Sequence, residues 1–166
     1  MDCRVKPGND NRAMWKFRNM IRLATIPDVG AVTQLVNDAY AIYIARNGKV
    51  PGPMRDDYSA LIGDERVYVF EEDMTIHGVL VLIPERDAML LDNIAVSPDA
   101  QGRGYGKILM QFAEDQARKV GLKDIRLYTQ DIMTENISLY TRLGYVETHR
   151  AEAIGLMRVY MTKVIA

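Results

Sequence analysis

The sequence predicts an α/β protein with one mixed β-sheet of about seven strands, flanked by about four helices. Apolar segments bounded by turn residues alternate with segments whose apolar residues recur at helical spacing. Their order is strand, two helices, three strands, helix, strand, helix and two strands, which fits a sheet with parallel and antiparallel neighbours. The chain has 166 residues, 48% of them hydrophobic and 26% charged, which is enough for one domain with its own core.

The first part of the fold begins with a short strand, "IRLAT", at 21–25. Pro27 and Asp28 then open a helix, because proline fits the first turn and an acidic side chain suits the positive end of the helix dipole. Gly48 ends this helix. A loop rich in proline and glycine and a second, short helix follow, at 49–54 and 55–63.

Three strands come next and form the middle of the predicted sheet. The first two pair as an antiparallel hairpin through Asp73 and Met74. The third, "AMLLDNIAV", is apolar on both faces, which is typical of a central strand. A glycine-rich loop, a helix that Gly121 ends and the strand "DIRLYTQ" make a right-handed parallel crossover. The other predicted elements are strands at 66–72 and 76–83, a helix at 134–144, and closing strands at 145–150 and 158–164.

Composition excludes several classes of function. The formal net charge is -1, so no bulk electrostatic attraction favours nucleic acid as a partner. No apolar run approaches the roughly 18 residues of a membrane span, so a membrane partner is not expected. Cys3 is the one cysteine, which excludes a disulfide framework and favours a reducing, cytoplasmic setting. The two histidines lie far from it and from each other, so no metal site is predicted.

Residues 1–19 differ from the rest of the chain. They carry five Lys/Arg residues against two Asp residues and show no hydrophobic periodicity. One interpretation is a basic arm for interactions. The other is a disordered extension outside the fold, with Met14 or Met20 as the natural start. We therefore predict a basic, disordered extension over 1–19 and a single domain over 20–166.

The segment "QGRGYGK", at 101–107, is the strongest indication of a ligand site. Glycine permits positive φ and close approach of a ligand to the backbone, and here three glycines alternate with polar residues. The loop leads directly into a helix, whose first N–H groups lack partners and attract anions such as phosphate. Arg103 adds a charged donor and Gln101 a neutral one. A tight turn that needs glycine for geometry alone is the alternative.

Two common phosphate-binding motifs do not match this loop. The P-loop needs four residues between its glycines and Ser or Thr after its lysine, whereas three residues separate Gly102 from Gly106 and Ile108 follows Lys107. The dinucleotide motif fails because its third glycine would come one residue later, and because it follows the first strand of its fold.

The same segment resembles the signature Gln/Arg-x-x-Gly-x-Gly/Ala of the GNAT superfamily of acetyl-CoA-dependent N-acetyltransferases. The resemblance runs from about Met20 to Ala166 and includes "LDNIAVSP" before the loop and "ENISLYTRLGY" after it. It implies the GNAT fold, whose sheet splays between strands 4 and 5. It also implies acetyl-CoA as cosubstrate, held by the loop amides and by backbone groups of the "NIAV" strand. The implied coenzyme-binding residues are Ile94, Ala95, Val96, Gln101, Gly102, Arg103, Gly104, Tyr105, Gly106, Asn136 and Tyr140.

The resemblance also implies catalytic roles. Tyr140 occupies the position of the family's general acid, which protonates the leaving thiolate; a tyrosine pKa of about 10 exceeds a thiol pKa of about 8.5. A core tyrosine on an amphipathic helix is the competing interpretation. Asn136 lies one turn earlier and either reaches the coenzyme or makes a local capping contact. A backbone N–H of the splayed strand, such as that of Val96, is expected to stabilise the oxyanion.

The general base is less well defined. Some relatives that acetylate protein N-termini carry a glutamate on the strand "DIRLYTQ", at the position that Tyr128 occupies here. Asp92, on the central strand, is the best remaining carboxylate, and Glu85 lies further away near a strand end. Asp92 is either the base or a structural acid, and a water relay to solvent would also serve.

The resemblance implies an acceptor site built from the first two helices, their connecting loop and the strand near the cleft. The predicted substrate-binding residues are Tyr40, Tyr43, Tyr58 and Asp92. Asp56 and Asp57 suggest a cationic amine, or they cap the second helix. The predicted function is direct transfer of acetyl from acetyl-CoA to a small amino-acid-like or polyamine-like amine, because no cysteine suits an acyl-enzyme. The alternatives are a peptide or protein N-terminal acetyltransferase and a non-catalytic acyl-CoA-binding module; a homodimer is an expectation from the family only.

Overall fold

The computed structural model of the protein describes residues 20–165, so the extension predicted over 1–19 lies outside the described residues. One seven-stranded sheet has the order β1-β2-β3-β4-β5-β7-β6. The strands are β1 (Ile21–Leu23), β2 (Val67–Glu72), β3 (Thr75–Pro84), β4 (Met89–Val96), β5 (Asp124–Gln130), β6 (Val146–Ala153) and β7 (Leu156–Val164). The helices are α1 (Val29–Asn47), α2 (Tyr58–Gly63), α3 (Tyr105–Lys119) and α4 (Thr134–Arg142). This is the α/β fold and element order that the sequence predicts.

The start of α1 is fixed by polar contacts rather than by packing alone. Thr25 leaves the first strand early, because its N–H donates to the Asp28 carboxylate at 2.8 Å. Arg22 on β1 donates to Asp28 at 2.7 Å and to Glu71 on β2 at 2.7 Å. At the other end Gly48 has φ 71° and its N–H donates to the carbonyl of Ile44, as a left-handed helix cap requires. The helix is therefore tied at its start to the first two strands.

Two hydrophobic cores cover the two faces of the sheet. Successive residues of β3 serve opposite faces, as a strand requires. Val79 and Val81 pack with α1 and α2, whereas Leu80 and Leu82 pack with α3. Burial of each such side chain contributes about 1.5–3 kcal/mol. Both faces of the central strands are thus covered, and β4 is central as predicted.

The parallel pair β4–β5 is short. The register joins Met89, Leu90 and Leu91 to residues 125–127 and stops there. Beyond Leu91 the two strands diverge, and the sheet is splayed rather than closed. Among the strands of residues 20–165, only β3 lies beside the remaining five residues of β4. No helix among residues 20–165 combines the length and hydrophobicity that would be needed to cross a membrane.

Candidate active site

The carboxyl-terminal half of β4 presents an open row of backbone groups. In an antiparallel pair, residues that exchange hydrogen bonds alternate with residues that do not. Ser97 N–H donates to His77 at 2.8 Å and Ala95 pairs with Val79, so Ala95 and every second residue bond to β3. Ile94 and Val96 therefore direct their N–H and C=O groups toward the splay, where β5 supplies no partner.

The glycine loop stands at the end of this open row. Gly102 and Gly104 have φ values of 83° and 82°, a region that side chains disfavour. No atom lies within 4 Å of the position that a Cβ would take at either residue, so backbone conformation, not space, requires glycine here. Gln101 folds back and its side-chain amide donates to the Val96 carbonyl at 3.3 Å. The first N–H groups of α3 follow directly at Tyr105.

A cleft of about 600 Å³ connects the open row with the loop. Its walls come from α1 and α4 and its floor from β4. It contains most of the predicted coenzyme-binding residues, with the exception of Arg103, which is exposed and lies outside the lining. The lining residues are Ala39, Tyr40, Ile42, Tyr43, Ile94, Ala95, Val96, Ala100, Gln101, Gly102, Gly104, Tyr105, Gly106, Lys107, Glu135, Asn136, Leu139, Tyr140 and Arg142.

Tyr105 has a structural role in addition to its place in the loop. Its ring is buried against Phe70 at a centroid distance of 4.5 Å, and its hydroxyl donates to Glu72 at 2.8 Å. These contacts attach the start of α3 to β2.

Lys107 and Arg142 are two residues of the cleft that the sequence analysis did not identify. Both line the cleft and supply positive charge, and Lys107 directly follows the glycines in the sequence.

A second, smaller cavity of about 50 Å³ lies on the other side of the splay. Its lining comes from β4, β5, the loop between α1 and α2, the β6–β7 hairpin and the region of α4. About 10–15 Å³ suffices for one water molecule, so the cavity has room for a group of a few heavy atoms. The lining residues are Tyr40, Val50, Gly52, Pro53, Arg55, Leu91, Asp92, Asn93, Ile94, Tyr128, Thr129, Gln130, Met133, Asn136, Tyr140, Ile154, Leu156 and Arg158.

Tyr140 stands where the two cavities meet. It lines both of them, as do Tyr40, Ile94 and Asn136. Its side chain is only 6% exposed, and its hydroxyl makes no hydrogen bond to any residue in the described part of the chain. Burial raises the pKa of Tyr140 above its usual value, with a smaller contribution from nearby Tyr43. The phenol is therefore a protonated donor at neutral pH. The side-chain amide of Asn136 makes a local contact, because it donates to the sulfur of Met133, the residue before α4, at 3.6 Å.

Asp92 lies in the smaller cavity and is already hydrogen-bonded. The Tyr128 hydroxyl donates to its carboxylate at 2.9 Å. On the other side of Tyr128, the guanidinium carbon of Arg158 lies 4.2 Å from the ring centroid. Burial and the negative charge of Asp92 raise the pKa of Tyr128. The cavity thus contains a carboxylate and a guanidinium that both contact the same tyrosine, Tyr128.

Asn93 joins three elements behind this cavity. It is 2% exposed. Its side-chain oxygen accepts from the Tyr40 hydroxyl at 2.7 Å, and its side-chain nitrogen donates to the Tyr58 hydroxyl at 3.0 Å. Tyr58 in turn donates to the carbonyl of Pro53 at 2.6 Å. The network fixes the cavity-lining loop to β4.

The predicted acceptor residues are placed differently from one another. Tyr40 lines both cavities, whereas Tyr43 lines only the larger one. Tyr58 is buried behind the smaller cavity rather than exposed within it. Asp57 accepts from the N–H of Ala60 at 3.1 Å and so caps α2. An ion pair between Arg46 on α1 and Glu135 on α4 also borders the larger cleft and was not anticipated.

Solved structures share this fold. The PaiA N-acetyltransferase from Thermoplasma acidophilum, in complex with coenzyme A, superposes with a TM-score of 0.72 at 18% identity, covering 87% of this chain and 97% of that one. The ribosomal-protein-S18-alanine N-acetyltransferase from Escherichia coli superposes with a TM-score of 0.71 at 20% identity, covering 88% and 93%. At these identities the comparison concerns the fold alone.

Sequence comparison gives the family. The amino-acid acetyltransferase of Ralstonia nicotianae is 31% identical over 130 residues, 76% of this chain and 26% of that protein. The mycothiol acetyltransferase of Actinosynnema mirum is 38% identical over 52 residues, 31% of this chain and 18% of that protein. The chain thus spans only about a fifth to a quarter of the length of these curated relatives. The family model for the acetyltransferase (GNAT) family matches residues 32–145, most of the chain, and the protein therefore belongs to that family of acyl-transferring enzymes.

Proposed function

We propose that this chain is an acetyl-CoA-dependent N-acetyltransferase that acts on the primary amine of a small molecule by direct attack. The observation that carries the proposal is the position of Tyr140, Ile94 and Asn136, which line both the cleft with the glycine loop and the smaller cavity. An acyl donor in one and an amine in the other would meet at these residues.

The larger cleft fits coenzyme A in two respects. The loop backbone at Gly102 and Gly104 is exposed and free of side chains, and it leads into α3, whose N-terminal end favours an anionic group such as a phosphate. The N–H of Ile94 is directed to the cleft and can pair with an amide of an extended arm, whereas the carbonyls of Ile94 and Val96 already accept from Tyr40 at 3.2 Å and from Gln101 at 3.3 Å. Bound acetyl-CoA would supply an activated acetyl thioester. The positive charges of Lys107 and Arg142 suit an anionic ligand.

The remaining residues have roles that follow from their positions. Transfer forms an N–C bond to the amine and breaks the C–S bond of the thioester. Tyr140 is placed to give its proton to the departing sulfur. The N–H of Val96 is available to the acetyl oxygen as that oxygen gains charge. Asp92 can take the proton that the amine loses, directly or through water. Its carboxylate would then either keep the hydrogen bond from the Tyr128 hydroxyl or give it up.

The size of the smaller cavity supports a small acceptor. The β6–β7 hairpin, through Ile154 and Leu156, and the loop at Val50 and Pro53 close around it. Lys49 on that loop also donates to the carbonyl of Gly155 on the hairpin, which brings the two walls together. Because these two walls restrict the space beside Asp92, we favour a small molecule over a protein N-terminus.

Two measurements test the proposal. Calorimetric titration should show stoichiometric binding of acetyl-CoA and none of ATP, because the loop lacks P-loop spacing. Tyr140→Phe should lower turnover about ten-fold or more with acetyl-CoA affinity and unfolding free energy unchanged, since the hydroxyl makes no hydrogen bond with the described residues. Tyr68→Phe, which changes a tyrosine on β2 that packs on Phe112 and lines neither cavity, is the matched control. Unchanged turnover in Tyr140→Phe would remove Tyr140 from the mechanism, and absence of acetyl-CoA binding would refute the proposed function.

A further inference from the structure

The smaller cavity contains more positive charge than an acceptor amine alone would need. Arg55 lines it from the loop before α2 and Arg158 lines it from β7. Within residues 20–165, neither side chain makes a hydrogen bond or an ion pair. By contrast, the arginines on β1, α1 and β6, namely Arg22, Arg46 and Arg150, each pair with a carboxylate. The two arginines of the cavity are therefore available to a ligand.

Arg158 is held in position without its donors being used. Its guanidinium lies over the Tyr128 ring at 4.2 Å, a cation–π contact that fixes the plane of the group. Its backbone lies opposite Gln130 on β5 and Ala151 on β6, so strands on both sides restrain it. Asp56 is close enough to feel its charge, yet no ion pair joins them. A guanidinium presented in this way offers a fork of N–H donors that matches a carboxylate.

The negative charge of Asp92 and the positive charge of Arg158 are both placed against Tyr128. Asp92 accepts from the Tyr128 hydroxyl at 2.9 Å, and Arg158 covers the ring of the same tyrosine. Both groups therefore contact Tyr128, and both line the cavity together with Tyr140. A molecule whose amine faces Asp92 and Tyr140 and whose anionic group faces Arg158 would meet complementary charge at both ends.

We infer that the acceptor is a zwitterion of the amino-acid type, whose carboxylate is bound by Arg158 with Arg55 while its amine faces Asp92 and Tyr140. This inference rests on the proposed function and narrows it. A polyamine is disfavoured, because a second ammonium group would face two arginines in a small cavity. Arg158 is thereby a specificity-determining residue for the acceptor.

The test compares matched amines. Each of the common amino acids is offered with its carboxamide and its decarboxylated amine, at saturating acetyl-CoA, and release of the free thiol is followed. At least one amino acid should be acetylated with kcat/KM about ten-fold or more above its two counterparts without a carboxylate, as expected for loss of a hydrogen-bonded charge pair. Preference for the amides or decarboxylated amines, or acetylation of no amino acid, would overturn the inference.

Variants separate recognition from folding. Arg158→Gln should lower kcat/KM for the amino acid about ten-fold, mainly through KM, and change the value for the amide less than two-fold. Arg158→Lys should recover part of the loss, because it restores the charge without the fork. Arg150→Gln, on the neighbouring strand and outside the cavity, is the control. Equal losses on amino acid and amide would assign Arg158 a structural role and overturn the inference.

A titration with acetyl-CoA distinguishes this inference from the proposed function. Wild type and Arg158→Gln should bind acetyl-CoA equally, because Arg158 does not line the larger cleft. If both bind it and only amines without a carboxylate are acetylated, the proposed function stands and the zwitterion fails. If wild type does not bind acetyl-CoA, the proposed function itself fails.

Discussion

The buried network around Asn93 allows a quantitative test of how the smaller cavity is built. Asn93→Leu keeps the approximate size of the side chain and removes two buried hydrogen bonds, to Tyr40 at 2.7 Å and to Tyr58 at 3.0 Å. Each such bond contributes about 0.5–1.5 kcal/mol. Both tyrosine hydroxyls keep another acceptor, Ile94 O at 3.2 Å and Pro53 O at 2.6 Å, so neither is left unsatisfied.

We therefore expect Asn93→Leu to lower the free energy of unfolding by about 1–3 kcal/mol, and Tm by roughly 2–12 °C for a chain of this size. Urea unfolding would measure this change, provided that the dependence of the free energy on urea concentration has the same slope in both proteins. The control is Asn37→Leu on α1, which should stay within about 0.5 kcal/mol. A double-mutant cycle with Tyr40→Phe should give a coupling of at least about 0.5 kcal/mol. An additive cycle, or Asn93→Leu as stable as wild type, would refute the reasoning.

Two further predictions concern the glycine loop and the start of α1. Gly104→Ala forces a side chain into φ 82°, so it should destabilise the protein by about 1–2 kcal/mol and weaken acetyl-CoA binding in calorimetry. The control is Gly63→Ala at the end of α2, where φ is negative and space is free; this change should be neutral or stabilising. Hydrogen bonds from Arg22 lower the pKa of Asp28 from 3.8 to about 2; because this pKa is depressed, the stability it contributes is present above about pH 4 and lost as pH falls toward 2. Unfolding curves of Arg22→Gln should show a smaller loss over that interval, and an identical loss would exclude this ion pair as its source.

The sequence was most informative where local chemistry decides structure. Gly48 and Gly121 end helices at positive φ, and Asp73-Met74 turns a hairpin between two periodic strands. The parallel crossover from β4 to β5 also followed from local order, because a helix between two strands allows few other arrangements. Motif spacing excluded the P-loop and identified the loop at Gly104.

The smaller cavity could not be predicted in the same way, because it depends on pairing between distant segments. Arg158 reaches it only because β7 lies between β5 and β6, which brings it opposite Gln130. Asn93 is one polar residue in an apolar strand, and nothing local indicates that it meets Tyr40 and Tyr58. The point at which β5 leaves β4, after Leu91, is likewise a property of the whole sheet.

The short junction between β4 and β5 has a consequence for association with other chains. It leaves an unpaired strand edge inside a folded domain, and such edges are templates on which foreign strands add and proteins aggregate. Here the edge lies on the floor of a cleft walled by α1 and α4. A strand from another protein, with side chains on both faces, would have to displace those helices to reach Ile94 and Val96. A ligand arm without bulky side groups, in which hydrogen-bond donors and acceptors alternate, could reach them without displacing the helices. The two helices therefore protect the edge against pairing with a foreign strand and also limit the shape of the ligands that can bind there.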